Sequence, residues 1–167
     1  AYSTMAADQP FTGDYKGATW NAQALFAVQV GIQNAKQQEL LKLIRTHDFV
    51  MLQETHSQPG DIITWTPPPG TQYFASHHNT TTTAGVGILV QNKFLERFHP
   101  VLDRQEQGQS YWNEIQPGRV AQLQLTGPQG TLDIMVTYFQ SGQFRDNRNR
   151  TRIAISKALR PPHIALS

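Results

Sequence analysis

The chain has 167 residues, a formal net charge of +2, 38% apolar residues and no cysteine. One domain with a real core is the expectation at this length, and the lack of cysteine excludes disulfides and thiolate metal sites. Mean hydropathy is -0.47 and no apolar run approaches the roughly 20 residues needed to span a bilayer, so no membrane partner is expected; an intracellular setting, nuclear or cytoplasmic, is favoured.

Residues 1–16 lack a basic start and an apolar h-region, so they are read as a flexible lead-in and not as a signal peptide. "GATWNAQAL" (17–25) predicts a short strand opening into a loop. "QNAKQQELLKLIRTHD" follows, with Leu40, Leu41, Leu43 and Ile44 at helical spacing. "DFVMLQETH" (48–56) then sets four apolar residues, Phe49 to Leu52, against Gln53, Glu54, Thr55 and His56. A strand buried on both faces reads as such a run, and the polar residues after it then stand at the mouth of a sheet, where α/β proteins place their chemistry.

The segment around Pro67, Pro68 and Pro69 predicts a surface loop. "QYFASHH" and "AGVGILVQ" predict an antiparallel pair, with a short helix or turn at "NKFLERF". "GRVAQLQLTG" and "TLDIMVTYF", joined by "GPQG", predict a second hairpin. From Arg145 to Arg160 six basic residues stand against one acid, Asp146, in a segment expected to be helical from about residue 147, with Ile155, Ala158 and Leu159 inward. "RPPHIALS" ends the sequence like the first half of a buried strand.

Three separated stretches, "TWNAQAL", "DFVMLQETH" and "GVGILV…GRVAQLQL…LDIMVTYF", together resemble the endonuclease/exonuclease/phosphatase superfamily. Within it they are more similar to the endonuclease domains of non-LTR retrotransposons than to sphingomyelinases or inositol phosphatases. Their order and spacing carry the resemblance, not any one stretch. It implies an α/β fold, a four-layered sandwich of two mixed, largely antiparallel sheets flanked by helices. It also implies Mg²⁺-dependent phosphodiester hydrolysis, with Mn²⁺ an alternative ion and nucleic acid, DNA above all, as partner.

By resemblance, Asn21 helps orient the metal site and phosphate, Glu54 is the metal ligand, and Tyr138 contacts phosphate. Phe139 and Gln140 replace the small residue and proline usual after that tyrosine. The "GDFN"-type and "SDH"-type motifs do not occur after Tyr138. Residues 17–167 are therefore expected to form a partial domain, its C-terminal part missing and its catalysis incomplete, and a place in a larger polyprotein is open to it.

Blander roles stand beside each of these. Glu54 is then a solvated strand end, Asn21 a turn residue, and Tyr138 a half-buried tyrosine bonded to backbone. Arg119 either contacts nucleic acid or pairs with Glu114; Arg148, Arg150 and Arg152 either face phosphate or form a solvated helix face. Tyr111 and Trp112 either pack or lie against a sugar or base. His56, His77 and His78 raise a rival zinc arrangement with Glu54. The alternative functions are a noncatalytic remnant that binds nucleic acid or protein, or another phosphoesterase of the superfamily, such as an RNA deadenylase or phosphoinositide phosphatase.

Overall fold

Two four-stranded mixed sheets organise the chain. The computed structural model describes residues 9–22, 25, 30–56, 66–78, 84–139 and 145–159. The first sheet runs β1 (Gly17–Asn21), β2 (Phe49–Gln53), β4 (Val86–Gln91), β3 (Thr71–Ser76), with β1 parallel to β2 and the other pairs antiparallel. The second runs β5 (Val101–Leu102), β6 (Ser110–Gln116), β7 (Val120–Gly127), β8 (Gly130–Thr137), antiparallel beyond the parallel β5–β6 pair. Helices α1 (Val30–Thr46), α2 (Asn92–Leu95) and α3 (Arg145–Ala158) complete the described elements. This is the α/β sandwich expected, with both hairpins as read.

The apolar run of β2 is unbroken because both of its faces are covered. Phe49 and Met51 point between the sheets, joining Phe74, Ile88 and Val90 on one side and Leu123, Leu125, Ile134 and Val136 on the other. Val50 and Leu52 point outward, where Leu40 and Ile44 of α1 meet them together with Ala22, Leu25 and Leu89. Each such side chain contributes about 1.5–3 kcal/mol on burial. The i, i+4 spacing of Leu40 and Ile44 puts both on the buried stripe of α1. The last carbonyls of that helix have partners too: Gln91 donates its amide to Ile44 O and, at 2.8 Å, to His47 O.

Two strands escape sequence reading. β5 has only two residues, and β6 sets Trp112 toward the core and Tyr111 on the opposite face. The outer face of the second sheet is polar yet buried. Gln122 and Gln124 are hydrogen-bonded at 3.0 Å, Gln122 also donates to Asp133 Oδ2 and to Ala158 O at 3.3 Å, and α3 covers them. Ile155, Ala158 and Leu159 are half-buried there.

From Gln9 onward the lead-in pairs with the edge of the second sheet. Phe11 N donates to Thr131 O (2.9 Å), Thr131 N donates to Gln9 O (2.8 Å), and the Phe11 ring packs on Phe98 under the Arg97 guanidinium. An aromatic anchor and edge pairing to β8 fix residues whose composition reads as loop; residues 1–8 lie outside the described set, as does the expected strand start at 163–167. No helix among the described residues is long and apolar enough to cross a membrane.

Candidate active site

The register brings several chain ends to one end of the sandwich. Asn21 pairs with Gln53, Gln53 with Val86, Ser76 with Val86, and Thr137 with Val120. The segments after β1, β2, β3, β6 and β8 therefore share that end. Backbone bonds tie them together: Gly85 N donates to Gly118 O (2.9 Å) between the sheets, and Thr55 N to Gly85 O (3.1 Å) and Tyr138 N to Arg119 O (2.7 Å) within them. Gly118 N donates to Ser76 Oγ at 2.8 Å.

Here Thr19, Asn21, Gln53, Glu54, Thr137, Tyr138 and Phe139 line an open cleft of about 530 Å³. The structure thus brings together Asn21, Glu54 and Tyr138, which lie 117 positions apart at the extremes. Gln53 Nε2 donates to Thr19 Oγ1 (2.8 Å), bracing the adjacent β1 and β2 ends.

Glu54 turns out of the strand in the left-handed region, with φ 51°, and His56 does so at φ 53°. Side chains there cost about 1–3 kcal/mol each, and such residues cluster at working sites. Buried Thr55 sits between them, held by the Thr55 N–Gly85 O bond. The turn sets the Glu54 carboxylate beside the Tyr138 hydroxyl, close enough to act on that phenol through hydrogen bonding and charge. Burial raises the Tyr138 phenol above its ordinary value, the Glu54 bond and charge raise it further, and Arg119 acts against them. The phenol stays protonated and donates.

Arg119 sits beside this pair. Its carbonyl holds Tyr138, and its buried Nε has no hydrogen-bond partner among the described residues. Burial and the Arg119 charge lower His78 below the usual imidazole range. The alternative Arg119–Glu114 pair is not formed; among the described residues the ion pair is Arg104–Glu106 at 2.7 Å. Nor do three His, Cys, Asp or Glu side chains converge among the described residues, so the histidine zinc arrangement is not assembled there. His78 and Thr19 carry no distinctive spacing, and only the pairing of the strands makes them neighbours of this site.

Gly118 shapes the turn that carries Arg119. It has φ 73°, and a Cβ there would come 2.5 Å from His78 N. Gly118→Ala is expected to lose about 1–2 kcal/mol from the backbone alone, and more from the clash, read as a lower urea midpoint. An unchanged midpoint would refute the close approach of the β3 and β6 ends.

The sequence model of one family matches residues 18–129, which run from β1 past the end of β7 and include the whole Glu54 turn. The chain belongs to the endonuclease/exonuclease/phosphatase family. Enzymes of this family generally depend on a divalent metal. Among solved structures, TDP2 of D. rerio in complex with a single-strand DNA product is similar at 18% identity and a TM-score of 0.56, over 88% of this chain and 56% of that one. The endonuclease domain of TRAS1, a telomere-specific non-LTR retrotransposon, is similar at 10% identity and a TM-score of 0.53, over 91% and 57%. Truncated TDP2 of Caenorhabditis elegans is similar at 14% identity and a TM-score of 0.51, over 90% and 59%. The chain thus spans between 56% and 59% of the length of these structures. At such identities they establish the shared sandwich. No curated protein matches the chain.

Proposed function

We propose that the cleft takes part in Mg²⁺-dependent hydrolysis of phosphodiester bonds in nucleic acid, DNA above all. The observation that carries this is the meeting of Glu54, strained at φ 51°, with Tyr138 and Asn21 in one open cleft of a family member. The donors there are carboxylate, amide and hydroxyl oxygens, the set Mg²⁺ prefers, and Mg²⁺ needs only one or two carboxylates because it keeps several waters. Mn²⁺ fits the same oxygens.

In this mechanism Glu54 holds the metal and Asn21 orients it and a phosphate oxygen. The ion, when bound, neutralises charge developing on the phosphate and the leaving oxygen. Tyr138, kept protonated, would turn its one hydroxyl hydrogen from Glu54 to a phosphate oxygen once the carboxylate holds the ion, and Arg119 adds positive charge beside it. A group that activates water is required as well, and none of these four residues supplies it.

Support for a nucleic-acid partner comes from α3. Thr151 Oγ1 donates to Gln116 Oε1 at 2.5 Å, which anchors the helix beside the turn carrying Arg119. Arg150 and Arg152 flank that anchor and are exposed. Arg148 is on the same helix, its side chain outside the described set. Neutralising Arg148, Arg150 and Arg152 together is expected to weaken DNA binding. It should also flatten the dependence of log affinity on log salt, by up to about 0.9 in slope for each phosphate no longer neutralised. An unchanged slope would return them to a solvated helix face.

The function itself is tested by following nicking of supercoiled plasmid by the protein in Mg²⁺, in Mn²⁺ and with chelator. Nicking that needs the ion and follows protein concentration is expected; nicking indifferent to chelator would overturn the proposal.

A further inference from the structure

We propose that Phe139 is a stacking platform for an unpaired nucleobase at the mouth of the Glu54 cleft. The idea rests on the phosphodiesterase reading of the cleft and adds a specificity-determining residue to it. Two large apolar side chains are exposed among the described residues, Phe139 at 39% and Ile153 at 55%. A single exposed apolar residue is ordinary on a surface. Phe139 differs because it lines a cleft together with Thr19, Asn21, Gln53, Glu54, Thr137 and Tyr138.

A flat aromatic face joined to amides, hydroxyls and one carboxylate able to hold a cation matches one ligand chemistry well. A nucleotide carries its anionic phosphate and its planar base on the same sugar, so one occupant satisfies both. The platform is also held in place: Tyr138 N is bonded to Arg119 O, and the Tyr138 ring packs on the core. The backbone is thus anchored immediately before Phe139, whose two torsions lose little freedom on contact. Bases inside a duplex already stack on both faces, so the residue favours a single-stranded, frayed or terminal nucleotide. Its position follows a phenol set beside the Glu54 carboxylate, which puts the base at the mouth of that cleft.

The test compares two fluorescein-labelled strands of equal length, oligothymidylate and an abasic tetrahydrofuran oligomer, by anisotropy with chelator present. For the unaltered chain, oligothymidylate should bind more tightly than the abasic strand. Phe139→Leu should weaken oligothymidylate binding by about 5- to 150-fold, the range for loss of one base stack, and leave the abasic strand unchanged. Phe139→Trp should restore the preference for bases. Equal losses on both strands, or no loss on either, would overturn the proposal. Because no metal is present, the base-to-abasic ratio is read independently of Glu54; failure of the ratio leaves metal-dependent hydrolysis standing, and failure of hydrolysis leaves the ratio interpretable.

Discussion

Glu54→Gln is expected to lower Mg²⁺-dependent phosphodiester hydrolysis by at least about 10²-fold, the scale on which removing one charge-stabilising group acts. The substitution keeps the shape of the side chain and deletes its negative charge. Its cost to the fold is small, because Glu54 is half-buried at the cleft and its backbone conformation is fixed by the Thr55 N–Gly85 O and His56 N–Ala84 O bonds and not by the carboxylate. A melt within a few degrees of the parent together with lost turnover is therefore the expected pair of results. An amide also weakens the bond to Tyr138, which removes part of the cause of that phenol's raised value. Turnover of Glu54→Gln equal to the parent's would show that the carboxylate has no part in the reaction.

Phe49→Ala is expected to cost about 3–5 kcal/mol, as large-to-small changes at fully buried aromatics do. The ring lies at the junction of both sheets and the lead-in, with Phe94 at 6.0 Å and a stacked Tyr15 at 6.1 Å between ring centroids. Little can move in to fill the space, since Gly17 across from it has no side chain and its Cα already faces the ring. At roughly 2–4 °C per kcal/mol for a domain of this size, the melting midpoint should fall by about 6–20 °C. Phe49→Leu, which keeps most of the volume, should lose far less. A fall of under about 2 °C for the alanine variant would mean that β2 is not the shared core strand described.

Sequence pattern finds those elements whose burial is lopsided or complete. β2, β4 and α1 announce themselves because apolar residues fill every face that is covered. β6 does not, because a buried polar network backs the second sheet: Asn113, Gln122, Gln124 and Asp133 occupy positions that a two-layer pattern assigns to solvent. The same inversion makes β7 read as a strand with irregular alternation while all of its residues are buried.

The cleft is legible in the sequence only through resemblance. Periodicity finds the end of β2, but it gives no reason for Asn21 and Tyr138 to meet Glu54; that follows from β1 pairing beside β2 and from the Gly85 N–Gly118 O bond between the sheets. Long-range register is what local sequence carries least. The left-handed turn at Glu54 is likewise silent in sequence, since glutamate has no preference for positive φ. Phe139 is visible as a departure from the family's pattern, and its exposure at the cleft gives that departure a physical meaning.

Binding of a divalent ion in the Glu54 cleft is tested most directly by titrating the chain with Mn²⁺ and following the free ion by electron paramagnetic resonance. The unaltered chain should take up Mn²⁺ saturably and release it to excess Mg²⁺, and Glu54→Gln should bind at least about tenfold more weakly while melting like the parent. Mn²⁺ uptake by Glu54→Gln with the parent's affinity would contradict the account.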